Sequence, residues 1–200
     1  MEIDYNDYWN PKNFIENVES NEKNVENTIE DLPIFEQKVM ICGRGETNHP
    51  NFHPRFSTPT TNLESELYVT TDHDPNYTQY INKKGLYALS LIVNPILEKK
   101  IKSVGGTIFW FSHNEIKSDV PNLLCGKFPR ENSGLASISL AAFLGIKSIL
   151  LSGIKFTGHY DQFIPGKELV FQSIKDQGTK IYSLDGLIAE KISYQSWCEE

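Results

Sequence analysis

Four groups of residues in this chain have the types and the spacing to do chemistry. The first is Arg130-Glu131-Asn132-Ser133-Gly134, directly ahead of the apolar run "LASISLAAFLG". A helix N-terminus carries about half a positive charge and unbonded N–H groups. Ser133 and Gly134 would present those groups, and Arg130 adds a fixed cation suited to phosphate or carboxylate. The plainer reading is a cap at Ser133 with Arg130 in solvent. The second group is Gly43-Arg44-Gly45, after the apolar run "KVMIC". Glycines there would let backbone N–H groups approach a phosphate or a sugar edge. The third glycine of the dinucleotide fingerprint is missing, and a tight turn explains the pattern equally well. The third is Asp72 and Asp74 in "TTDHDPN". Two hard carboxylates one residue apart suit Mg²⁺ or Mn²⁺ on a diphosphate, although Asp before Pro-Asn is also a turn signal. The fourth is His159 in "TGHYDQ", an acid or base near neutral pH with Tyr160 and Asp161 beside it. His49 and His53 lie four apart in a Pro-rich loop, with no third ligand to complete a metal site.

The elements around these groups alternate. "KVMICGRG" reads as a buried first strand entering a glycine loop, and residues 46–62 as a loop. "ELYVTTDHD" is a second strand that breaks at Asp72. Residues 75–106 read as helical, interrupted at Pro95 and ended by Gly105-Gly106. "TIFWFS" is a third strand and "NLLCG" a shorter fourth. Ser133 to Gly145 reads as a helix with Ser133 as N-cap and Gly145 as C-cap. "SILLSG" is too apolar to be half-exposed and belongs in the sheet centre. "GKELVFQSIKDQG" is a further helix and "KIYSL" a further strand. Strands alternating with helices predict an α/β, Rossmann-like, doubly wound and mostly parallel sheet with helices on both faces. Such sheets take ligands at the carboxyl ends of their strands, which is where all four groups fall.

Charge is distributed unevenly. Residues 1–36 hold ten acids and two lysines, a net of −8 against −7 for the whole chain, so residues 37–200 are close to neutral. We therefore divide the chain into an acidic helical arm, 1–36, and a nucleotide-binding body, 37–200. The arm should lay Phe14, Ile15, Val18, Val25 and Ile29 on the body as an amphipathic helix; a subunit contact, making a homo-oligomer, is the other reading. An acidic arm repels phosphate backbones, so nucleic acid is not an expected partner. No apolar run approaches the ~20 residues that cross a bilayer. The first residues lack a signal peptide's basic and apolar regions. The three cysteines form no CxxC pair, and Cys42 and Cys125 read as buried thiols, so the expectation is a cytoplasmic protein.

The stretch "ENSGLASISLAAFLGIKSILLSGIKF" resembles the bacterial sialyltransferases that use a cytidine-monophosphate donor. It is similar as well to the related motility accessory factors and a pterin pyrophosphokinase. Those families place a "(T/S)SG" turn, an "ALGYK" helix end and an "IYLSGIDF" strand in this order. Here they match Ser133-Gly134, Phe143 to Lys147 and Leu150 to Phe156. The resemblance implies that Ser133 and Gly134 contact nucleotide, that Gly43-Arg44-Gly45 holds it, that Arg130 meets substrate, and that His159 stands where the catalytic base stands. The sequence reads "GRGET" where the family has "GNGPS", Lys155 where an acid is usual and Thr157 where a tyrosine is usual. "ELYVTTD" is closer to the "DFVVxxD" strand of the pterin-kinase branch. The expected function is thus a glycosyltransferase binding a nucleotide-sugar. The alternatives are a metal-dependent pyrophosphokinase using Asp72 and Asp74 with Mg²⁺, and a non-catalytic module that binds a small ligand.

Overall fold

The computed structural model describes residues 11–45, 48–113, 115–127, 130–156 and 162–200; for Pro11, Lys127, Arg130 and Glu131 it describes the backbone alone. Nine of the described strands form one sheet. They are β1 (Lys38–Cys42), β2 (Arg55–Ser57), β3 (Leu67–Thr70), β4 (Leu86–Ser90), β5 (Thr107–His113), β6 (Asn122–Leu123), β9 (Ser148–Ser152), β10 (Lys180–Ser183) and β11 (Glu190–Lys191). The order is β11-β10-β9-β1-β2-β3-β4-β5-β6, and every pairing is parallel. The strands β7 (Gly126–Lys127) and β8 (Arg130–Glu131) pair with each other as a short antiparallel hairpin. The chain is an α/β, Rossmann-like protein with helices on both faces of its sheet.

Alternation along the strands sorts the core into two layers. Val39, Ile41, Phe56, Leu67, Val69, Ala88, Phe109, Phe111, Ile149 and Leu151 point to one face. That face is covered by α3 (Ser133–Phe143) and α4 (Ile164–Asp176). On the other face, Tyr68, Tyr87, Leu89, Ile108 and Trp110 pack under α1 (Pro11–Glu22) and α2 (Ile96–Ser103). Met40, Cys42 and Leu150 pack there under Trp197 of α5 (Tyr194–Glu199). Eight consecutive residues of α3, Leu135 to Ala142, are buried, which is why its sequence is apolar all round rather than along one stripe. Gly145, with φ +77°, turns the chain out of that helix. Cys42 and Cys125 are buried free thiols.

Three expectations are corrected. "LYALS" is strand β4, not helix, and only Ile96–Ser103 of that region is α-helical. An apolar run of this length, read alone, suits a buried helix and a central strand equally. The presumed loop at 46–62 contains β2 and a 3-10 turn at Pro59–Thr61. The arm packs on the body as expected, but its helix is shorter than expected and Ile15 is not on the buried face. Its helix ends at Glu22, and the chain from Asn24 runs beside β5, with Trp110 N–H donating to Asn27 O at 3.0 Å. Phe14 and Ile29 are fully buried and Val18 nearly so, Val25 is partly buried, and Ile15 faces solvent instead. Asn21 Nδ2 donates to Leu91 O and Val93 O at 2.8 Å each, and Asn17 Nδ2 to Ile92 O at 2.9 Å. These carbonyls follow β4, so α1 lies over the carboxyl edge of this half of the sheet.

Candidate functional site

β1 is the point where strand order reverses. The chain leaves it through β2 to β6 on one side and returns through β9 to β11 on the other. Open parallel sheets place their ligand crevice at such a reversal, beyond the strands' carboxyl ends. The loop after β1, the loop after β9 and the N-terminus of α3 meet there around Ile154. A Cβ on Gly43 would lie 2.9 Å from the Ile154 side chain, and one on Gly134 would lie 3.5 Å from it.

The glycine loop is built for its neighbour. Gly43 N–H donates to Ser152 O at 2.8 Å and Gly45 N–H to Gly153 O at 2.7 Å. A Cβ on either glycine would come within 2.6 or 2.7 Å of Gly153 O. Both glycines are therefore explained by the close approach of the β9 loop, and neither has an N–H to offer a phosphate. Of this motif it is Arg44, exposed at the loop tip, that keeps a group for a ligand.

The helix start is also corrected. Asn132 is the N-cap, its Oδ1 accepting from Leu135 N–H at 3.1 Å. Ser133 is the first helical residue, and its Oγ accepts from Thr71 N–H at 3.0 Å and lies 3.2 Å from Thr71 Oγ1. A Cβ on Gly134 would stand 2.9 Å from the cap oxygen of Asn132. Ser133 and Gly134 thus serve the cap and the β3 junction, and they bring the helix N-terminus against the strand end that carries Asp72.

Asp72 and Asp74 form a nested turn. Asp72 N–H donates to Thr70 Oγ1 at 3.1 Å, Asp72 Oδ1 accepts from Asp74 N–H at 3.0 Å, and Asp74 Oδ1 accepts from Asn76 N–H at 2.8 Å. Asp74 is the N-cap of a 3-10 helix, Pro75–Tyr80. One oxygen of each carboxylate is committed to the backbone, which the turn reading describes and a divalent pair would not require. Among the described residues no group of three His, Cys, Asp or Glu side chains could hold a metal ion. Burial pushes the Asp72 carboxyl up to about 6, with Asp74 adding to the rise and Arg44 opposing it. Arg44 follows β1 and Asp72 follows β3, so both stand beyond the carboxyl ends of parallel strands.

Arg130 lies in the backbone of β8, three residues before the start of α3; its side chain is outside the described residues, as is the whole of His159. Two other histidines hold this edge. His113 ends β5 fully buried, its Nε2 within 3.1 Å of Gly126 O, and its Nδ1 accepts from Glu115 N–H at 3.2 Å. It anchors β7 and hence the hairpin that brings Arg130 to α3. Burial pushes its pKa below the ordinary histidine range. His49 Nδ1 lies 2.8 Å from the Oγ of Ser152, the last residue of β9. Its position as the seventh residue beyond a central strand, in a loop that must return along the carboxyl edge, was the available signal.

A cavity of about 340 Å³ lies at the opposite, amino edge, beside Thr107 and Trp110. Its charged residues Lys102 and Glu26 bridge each other at 2.9 Å.

No protein-family model matches the chain, and no curated protein matches it. Among solved structures it is similar to the sialyltransferase CstII from Campylobacter jejuni. In the complex with a substrate analogue, cytidine-5'-monophosphate, identity is 16%, coverage is 79% of this chain and 86% of that chain, and the TM-score is 0.43. In the complex with CMP-3FNeuAc, identity is 16%, coverage 78% and 86%, and the TM-score 0.41. No helix among the described residues is long and apolar enough to cross a membrane.

Proposed function

We propose that the chain is a nucleotide-binding transferase of the glycosyltransferase type, holding a nucleotide-sugar donor at the carboxyl edge between β1 and β9. The observation that carries this reading is the convergence of Arg44, Asp72 and the N-terminus of α3 around the strand-order reversal. Arg44 supplies a cation for the donor's phosphate, and the helix N-terminus supplies the field that favours its charge. The resemblance of residues 131–156 to sialyltransferase motifs supports a cytidine nucleotide, with Arg130 and His159 as further substrate-facing residues. Homo-oligomerisation through the exposed part of the arm is compatible with this site.

The test is a thermal-shift panel of CMP, UMP, GMP, CMP-sialic acid, a UDP-sugar and a pterin, each with and without Mg²⁺. A ligand at 100 times its Kd stabilises the fold by about 2.7 kcal/mol. A shift with CMP or CMP-sialic acid, reduced in Arg44→Ala, is the expected result. A shift with the pterin alone, or only with Mg²⁺, would transfer the site to the pyrophosphokinase reading. No shift with any nucleotide ends the proposal.

A further inference from the structure

We infer that Lys155 is a second phosphate-binding cation of the site and that, with Arg44, it selects a donor whose nucleotide carries two phosphates. The inference rests on the proposed function and deepens it, naming the class of donor as a nucleoside diphosphate joined to its sugar. Three observations carry it. Arg44 lies two residues beyond Cys42, the last of β1, and Lys155 three beyond Ser152, the last of β9, and those two strand ends pair in register. Both cations therefore leave the sheet at the strand-order reversal, beyond its carboxyl edge. A Cβ on Gly45 would lie 3.2 Å from Lys155 Cγ and 3.1 Å from Lys155 Cδ, so the stem of this lysine crosses the glycine next to Arg44. Neither Arg44 nor Lys155 makes a hydrogen bond or an ion pair through its side chain among the described residues.

Lys155 is partly buried, and other partly buried lysines spend their charge inside the protein. Lys38 donates to Trp197 O at 2.8 Å, and Lys83 bridges Glu64 at 3.0 Å. The Lys155 stem is instead laid along a bare glycine, which leaves the ammonium two bonds further on beside the loop tip. Two positive charges rooted this close repel each other, and an anion held by both removes the repulsion. Ile154, the residue before Lys155, stands against the start of α3, where a Cβ on Gly134 would lie 3.5 Å from it. The field of that helix N-terminus adds to the two cations. Arg44 also acts on the Asp72 carboxyl, opposing the rise that burial imposes on it. Part of its charge is thereby used within the protein, so a bound polyanion requires a further cation.

The two cations differ in kind. A guanidinium grips two oxygens of one phosphoryl group as a planar fork, whereas an ammonium acts as a point charge. A nucleoside monophosphate satisfies the arginine and leaves the lysine to share the same oxygens. A diphosphate presents two phosphoryl groups joined through one oxygen, so each cation takes its own. The adjacent roots of Arg44 and of the Lys155 stem at Gly45 match that arrangement.

The test uses the full chain in EDTA-treated buffer and measures Kd by calorimetric titration for CMP and CDP, UMP and UDP, and GMP and GDP. In the pair that binds, the diphosphate should be held at least about tenfold more tightly, the worth of one added bond to a charged group. In Lys155→Gln that ratio should fall to within about threefold of unity, and Lys155→Arg, which keeps the charge, should retain it. Should Lys155→Gln fail to fold, Lys155→Met, which keeps an apolar stem over Gly45, takes its place. A wild type that holds the diphosphate no more tightly than the monophosphate overturns the inference and leaves the nucleotide site standing. An unchanged ratio in Lys155→Gln does the same, since the lysine then only covers the glycine. If CMP-sialic acid rather than CDP gains affinity over CMP through Lys155, the lysine reads the sugar's carboxylate and the diphosphate class is wrong. If no nucleotide of any pair binds, the site itself fails, and the inference falls together with the proposed function.

Discussion

Ser133 and Thr71 are joined across the two halves of the site, with Thr71 N–H donating to Ser133 Oγ at 3.0 Å. Thr71 is 4% exposed, so its N–H has no ready solvent partner if that oxygen is removed. Ser133→Ala should cost about 1–3 kcal/mol, the penalty of leaving a buried donor unmade. It should also weaken CMP binding, because the helix start loses its tie to β3. Ser133→Thr, which keeps the oxygen, should recover most of both. Urea unfolding and a CMP titration of the two variants would check this, and an unchanged midpoint in Ser133→Ala would refute it.

Asp72 gives a pH signature of definite sign. Its carboxyl titrates near 6 in the folded chain, above its unfolded value, so the folded state binds the proton more tightly. Stability from this group is therefore greatest at low pH and falls as pH rises between about 4 and 6. Asp72→Asn keeps an oxygen for Asp74 N–H and cannot ionise. It should be more stable than the wild type at pH 7.5, by an amount on the order of 1–2 kcal/mol after allowing for partial solvent access. The gain should vanish near pH 4. A variant that is equally or less stable across the whole range would remove the buried-charge account.

His113 has the opposite sign. Its folded pKa is depressed, so the folded state binds its proton less tightly than the unfolded chain does. The contribution is intact above the unfolded value, near 6.5, and is lost as pH falls below it. A protonated ring could no longer accept from Glu115 N–H. Hydrogen exchange of the β7–β8 amides should accelerate relative to the rest of the sheet between pH 6.5 and 5. Uniform exchange across the sheet in that window would show that the histidine does not govern the hairpin.

The arm should behave as core. Phe14→Ala should lose about 3–5 kcal/mol, as for other fully buried phenylalanines. Asn21→Ala, which strips Leu91 O and Val93 O of a donor, should lose about 1–3 kcal/mol. Ile15→Ala, at an exposed position on the same helix, should be nearly neutral. Denaturation midpoints of the three variants test the assignment. A destabilisation of the same size in all three would mean that the helix face has been assigned wrongly.

The parallel sheet was legible in the sequence because "KVMIC", "TIFWFS" and "SILLS" are short apolar runs between glycine and polar loops, which few other elements resemble. β4 was not, because "LYALSLIV" satisfies a buried helix and a central strand alike until its neighbours are known. β2 shows only Phe56 as an apolar residue, and its other two positions, Arg55 and Ser57, are polar groups buried by loops that fold back from elsewhere. The glycines of 43–45 were recognised as sites of close approach, but a glycine looks the same whether it admits a phosphate or a neighbouring strand's carbonyl. The N-cap of α3 was placed one residue late, since Asn132 and Ser133 are both good caps. The contact of His49 with Ser152 joins residues far apart in the sequence, so only the fold shows it.

The position of β1 has a consequence for how the chain comes into being. Its residues 38–42 pair on one side with β2, which follows soon after, and on the other with residues 148–152 of β9. During synthesis this buried strand therefore waits with one edge open while the whole β2–β6 half is made. Such distant pairings close slowly, and an open, flat, uncharged edge is a template for other chains. The nascent protein's greatest hazard is then self-association through Val39 to Cys42. The completed β9 seals that edge, and the same event closes the crevice between the two strands, so the binding site and protection from aggregation should arrive together.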